Sequence, residues 1–128
     1  MDPLAQRNAF RTAIERQDHA ALMQVFTPDV VFHSPIVHQP YVGHTALAPV
    51  LAAVLQVFRD FRYVDEYDSK NGKVLVFHAR VGERDLDGVD ILTFDVGGFV
   101  REFSVMVRPY SAATALREIM AAQMASGS

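Results

Sequence analysis

Cysteine is absent from all 128 residues, which removes disulfide frameworks and thiolate metal clusters from consideration. A chain without cysteine suits a reducing compartment, so a cytoplasmic location is the expectation. Basic runs are missing too. Twelve Lys and Arg stand against fifteen Asp and Glu, a net charge of −3 without clusters, and this argues against a nucleic-acid partner. Long apolar runs are also lacking. The longest, Ala46–Leu55, contains Pro49 and falls short of the ~20 residues of a membrane span, so no membrane association is expected. Met1–Arg7 has no apolar segment of the kind a secretory leader needs. With no repeat, low-complexity tract or linker, residues 1–128 read as one domain, long enough to bury roughly two thirds of its unfolded surface. Charge itself is scarce, at 21% of residues against 50% hydrophobic, and that apolar surplus needs a destination.

The first half of the chain has helical periodicity. Ala9, Phe10, Ala13 and Ile14 form a stripe with Arg7, Arg11, Glu15 and Arg16 largely off it. Asp18 is a suitable cap for a second helix, Ala20–Phe26, which Pro28 would end. Asp29–Ser34 is β-branched and aromatic and reads as a strand closed by Pro35. A loop follows to Gly43. Gly43–Phe58 then reads as a third helix, with Thr45 as cap and Pro49 in the first turn. From Phe61 the period becomes two. Asn71-Gly72 predicts a hairpin joining Phe61–Asp68 to Lys73–Val81. Polar Gly82–Asp87 turns the chain into Gly88–Asp95, and Gly97-Gly98 turns it into Phe99–Arg108. Ser111 opens a last helix bearing Leu116, Ile119, Met120 and Met124. Helices followed by an antiparallel meander predict an α+β fold, with one strongly curved sheet holding the helices on its concave side.

Several pieces in this order carry a family likeness: Pro28-Asp29-Val30-Val31-Phe32-His33-Ser34-Pro35, Gly43-His44-Thr45-Ala46-Leu47, Gly88-Val89-Asp90-Ile91-Leu92 and Phe99-Val100-Arg101-Glu102-Phe103. Together they resemble the nuclear transport factor 2-like superfamily, and its SnoaL-like branch in particular, over about residues 5 to 110. The resemblance implies a cone: a curved sheet wrapped around helices, enclosing a mostly apolar pocket. That superfamily holds ketosteroid isomerases, epoxide hydrolases, dehydratases, polyketide cyclases and many non-enzymes, so the fold predicts a pocket better than a reaction. In the isomerases the catalytic tyrosine lies eight positions before the aspartate capping the second helix, where this chain has Phe10. The general base immediately precedes the proline that ends the first strand, where this chain has Ser34. Only the protonated oxyanion-donating aspartic acid has a counterpart, Asp90.

Asp90 shares its strand face with Leu92 and Phe94, the face expected to be concave. A carboxylate among such neighbours has its pKa raised, as suits an acid or an oxyanion donor. Pairing with Arg80, Arg108 or a tyrosine is the structural alternative. Tyr63 and Asp65 alternate on one face of their strand and are candidate partners in acid–base chemistry; the same pattern also describes an edge strand showing its polar face to water. Among the histidines, His38 in the loop after the first strand is a candidate base. His33 is expected on the face opposite Phe32, and His78 and Arg80 outward. Spacings of five and six residues between His33, His38 and His44 match no zinc pattern, so no metal and no other cofactor is expected.

The expected ligand is a small apolar molecule contacted by Phe10, Ile14, Phe32, Ser34, Val54, Phe58, Phe77, Leu92, Phe94, Phe103 and Val105. The enzyme class stays open among isomerase, lyase or cyclase and hydrolase, and a non-catalytic binding or dimerising domain is the alternative. The outer sheet face, with Val89, Ile91 and Thr93 beside Glu102, Ser104, Met106 and Arg108, is expected to pair two copies as a homodimer.

Overall fold

The computed structural model describes residues 2–126. Three short helices open it: α1 (Pro3–Gln6), α2 (Ala9–Glu15) and α3 (His19–Met23). Strand β1 (Phe26–His33), the two-residue β2 (Tyr41–Val42) and the long helix α4 (His44–Val57) follow. Four long strands, β3 (Arg59–Asp68), β4 (Gly72–Val81), β5 (Arg84–Phe94) and β6 (Val100–Arg108), lead to α5 (Tyr110–Ser126). The strands form one sheet in the order β2-β1-β6-β5-β4-β3, antiparallel throughout except for the β1–β6 pair. The fold is therefore α+β, with the helices packed on the concave side of a curved sheet.

Local chemistry explains most element boundaries. The Asp18 carboxylate accepts from the Ala21 amide at 3.0 Å and starts α3 as expected. That helix stops at Met23, because Phe26 already pairs with Val100 in the sheet. Pro28, expected to end a helix, lies instead inside β1, where the register slips between Phe26 and Val31. A proline is tolerated at such an irregularity, since no ladder hydrogen bond is demanded of it. His44 ties the same bulge down: its Nε2 lies 3.2 Å from the Phe26 carbonyl and 3.1 Å from that of Thr27. Helix α4 is preceded by Gly43 at φ 87°, not capped by Thr45, so Pro49 lies past the first turn on an exposed face. Gly82 at φ 58° closes a two-residue hairpin, so β5 begins at Arg84 and the polar stretch expected as a turn is strand.

Phe10, Leu22, Leu47, Leu75, Phe77 and Leu92 are all fully buried between helices and sheet. At Gly88, a Cβ would lie 2.3 Å from Cζ of Phe77; the glycine lets that ring lie flat against β5. Among the described residues no helix is long and apolar enough to cross a membrane. On the convex face Val89, Ile91, Thr93 and Ser104 are half-buried, and Met106 is 59% exposed. His33 bonds Glu102 there at 2.8 Å, and Asp87 takes both His78 and Arg108.

Candidate functional site

Strand periodicity builds the site floor. The register sets Asp90 opposite Leu75 on β4 and Val105 on β6, all in one row on the concave face. Tyr63 on β3 is paired with Phe77. Its long side chain reaches across β4, and its hydroxyl donates to Oδ2 of Asp90 at 2.7 Å. Oδ1 of Asp90 has no protein partner. Arg80 and Arg108, the alternative partners expected for Asp90, instead hold Asp85 and Asp87 on the outer face.

Asp90 is 6% exposed. Burial pushes its pKa from 3.8 up to about 7, and the Tyr63 hydrogen bond holds it down against that. The Tyr63 hydroxyl is pushed well above its ordinary pKa, first by burial and then by the neighbouring carboxylate charge. Near neutrality the pair thus holds one mobile proton at Asp90 and a firmly protonated phenol.

A cavity of about 370 Å³ opens above this pair. Phe10 and Ile14 of α2, Val54 of α4 and Phe58 wall one side, and Phe32, Phe77, Phe103 and Val105 of the sheet form the other. Phe103 is stacked on Phe32, with ring centroids 4.3 Å apart, so this wall is a rigid aromatic surface. Ser34 also lines the cavity, although its hydroxyl accepts from the Ile36 and Val37 amides at 3.0 and 3.3 Å and serves its own turn. Helix α5 contributes Leu116 and Met120.

Two expected contacts lie elsewhere. Leu92 and Phe94 do face inward, but they are buried in the core and not on the cavity wall; the Arg7 guanidinium stands 5.0 Å over the Phe94 ring. Two candidate chemical residues are also displaced. A bulge in β3 between Tyr63 and Asp65 shifts the alternation by one residue, so Asp65 is exposed and accepts from Tyr67 at 2.9 Å. Glu66 takes the inward place and joins Lys73 at 2.8 Å and Arg11 at 3.1 Å. His38 is exposed and off the cavity wall. No three described His, Asp or Glu side chains converge as a metal site would require.

Three polar residues lining the cavity were not singled out from the sequence: Glu15, Gln17 and Asp60. Gln17 at φ 53° and Asp60 at φ 52° are the two described non-glycine residues with left-handed backbone, and both are exposed at the mouth. Asp18, a visible helix cap, was the one signal that the chain must turn sharply beside Gln17.

A SnoaL-like domain model matches residues 7–103. The crystal structure of a steroid delta-isomerase from Pseudomonas aeruginosa is 41% identical, with a TM-score of 0.91 over 97% of this chain and 92% of that one. A protein conserved in bacteria with a cystatin-like fold, from Silicibacter pomeroyi DSS-3, is 32% identical, with a TM-score of 0.87 over 92% of this chain and 84% of that one. A nuclear transport factor 2-like protein of unknown function from Mesorhizobium loti shares the fold alone, at 14% identity and a TM-score of 0.72, over 84% of this chain and 91% of that one. No curated protein matches. With most of its length inside the SnoaL-like match and a 41% identical structure covering 97% of it, the chain belongs to the SnoaL-like family.

Proposed function

We propose that the chain binds a small apolar molecule in this cavity and that Asp90 supplies a hydrogen bond or proton to an oxygen atom on it. One observation carries the reading: a single buried carboxyl, braced by Tyr63 at 2.7 Å, with its second oxygen unpartnered on the floor of an aromatic cavity. Below a pKa of about 7 the acid is protonated and can donate to a carbonyl. Ketosteroid isomerases also need a carboxylate base. Phe10 and Ser34 line the cavity at the positions where the resemblance expects a tyrosine and that base, which supports binding with donation from Asp90 over isomerisation by the same residues.

The test is titration with a neutral aromatic ketone, 2-acetonaphthone, followed by calorimetry on either side of pH ~7. The ketone should bind about tenfold more tightly to the protonated form, the worth of one hydrogen bond from a buried acid. Asp90→Asn should bind it with no pH dependence in that range. Absence of binding, or an unchanged pH dependence in Asp90→Asn, contradicts the proposal.

A second reading, isomerisation of a ketone by proton transfer, is favoured by the 41% identity to the Pseudomonas aeruginosa protein named a steroid delta-isomerase. Mixing the chain with a β,γ-unsaturated ketosteroid should then produce the absorbance of a conjugated enone. No turnover above buffer rejects it.

A further inference from the structure

We infer that the cavity is selective for neutral or cationic apolar ligands over anionic ones, with Asp60 and Glu15 at its mouth as the determinants of that selectivity. The inference deepens the proposed binding role and rests on it. Among the described residues that line the cavity, the ionisable side chains are Glu15, Asp60 and Asp90, all acids; no Lys, Arg or His is among them. The other polar linings are Gln17 and Ser34, and the Ser34 hydroxyl is engaged by its own turn.

Three cations on neighbouring elements, Arg11, Lys73 and Arg62, are off the cavity wall and engaged by other protein groups. Arg11 holds Glu15 at 3.3 Å and Glu66 at 3.1 Å, with its guanidinium 5.3 Å over the Tyr63 ring. Lys73 is held between Glu66 and Asp68 at 2.8 and 2.7 Å. Arg62 donates to the Asp60 backbone carbonyl at 2.9 Å, while the Asp60 carboxylate itself has no hydrogen bond or ion pair.

An anion entering this space would lose its hydration and find no cation in return. It would also pass one unpaired carboxylate and approach a second on the floor. Like charges repel more strongly as the medium becomes less polar, so the penalty grows with depth. A neutral alcohol or ketone escapes both costs. An ammonium group gains from the mouth carboxylates and from the faces of six phenylalanines on the wall, since aromatic rings attract cations.

The experiment is isothermal titration of the wild-type chain with three matched naphthalenes: the 2-methanol, the 2-methylammonium and the 2-carboxylate, at about pH 8 where the amine and acid are both charged. The alcohol and the ammonium should bind, and the carboxylate should bind at least about tenfold more weakly than the alcohol. Asp60→Asn and Glu15→Gln should each narrow the gap between alcohol and carboxylate binding by about threefold. Asparagine tolerates the left-handed backbone at residue 60, and Glu15→Gln provides an independent check on an ordinary helical residue. A carboxylate that binds as tightly as the alcohol overturns the selectivity while leaving the cavity a binding site. Failure of all three to bind overturns the binding role itself, and the selectivity with it.

Discussion

Replacing Asp90 with asparagine removes a titration that the fold has displaced. Burial raises the carboxyl pKa from 3.8 to about 7, so the folded chain holds this proton more tightly than the unfolded chain. The sign follows. Stability from this group is complete below the unfolded pKa, falls as pH rises from 3.8, and is exhausted above about 7. A displacement of about three pH units is worth about 4 kcal/mol, a ceiling because solvent entry and the Tyr63 bond soften the penalty. Asparagine pays no such penalty. Urea denaturation of both forms, followed by circular dichroism across this range, gives the difference in unfolding free energy. Subtraction cancels the histidines and the other carboxylates. Relative to Asp90→Asn, the wild type should lose up to about 4 kcal/mol from acid to neutral pH, then show no further change. Tyr63→Phe should move the carboxyl pKa higher still, because the phenol stabilises the ionised form. A difference that stays flat, or that grows with pH, refutes the reasoning.

Other consequences can be measured directly. Gly88→Ala sets a methyl against the buried Phe77 ring, itself stacked 4.8 Å from Phe61, and should destabilise by about 1–3 kcal/mol in thermal unfolding. Lys73→Met removes the cation that chiefly holds the Glu66 pKa down. The stability lost as pH falls through that lowered pKa should shrink, and acid denaturation should show a flatter limb than wild type. The expected homodimer would bury Met106 on the convex face; light scattering at micromolar concentration should give the mass of two chains, and Met106→Glu that of one.

Much of this arrangement is legible in the sequence because it follows from parity. Asp90, Leu92 and Phe94 alternate with Val89, Ile91 and Thr93, and that alone puts the carboxyl on the concave face. The wall aromatics Phe32, Phe77 and Phe103 emerge from the same rule applied to their strands, and Phe10 from the helical stripe of α2. Depth along the cone is not encoded by parity, so Leu92 and Phe94 read like cavity residues although they pack in the core. A bulge is also invisible to a period-two reading: one extra residue near Val64 exchanges Asp65 for Glu66 on the inner face. Asp60 and Gln17 escaped because left-handed backbone at a non-glycine residue is imposed by the closing of the fold around it and leaves no local pattern.

The proposed role requires an apolar, oxygen-bearing molecule in the cavity with its oxygen on Asp90. A crystal structure grown with 2-acetonaphthone tests it most directly. The naphthalene should lie in the cavity against the Phe103 ring, with the carbonyl oxygen at hydrogen-bond distance, about 2.7 Å, from the open oxygen of Asp90. A ligand bound outside the cavity, or one inside it with the carbonyl turned away from Asp90, would contradict it.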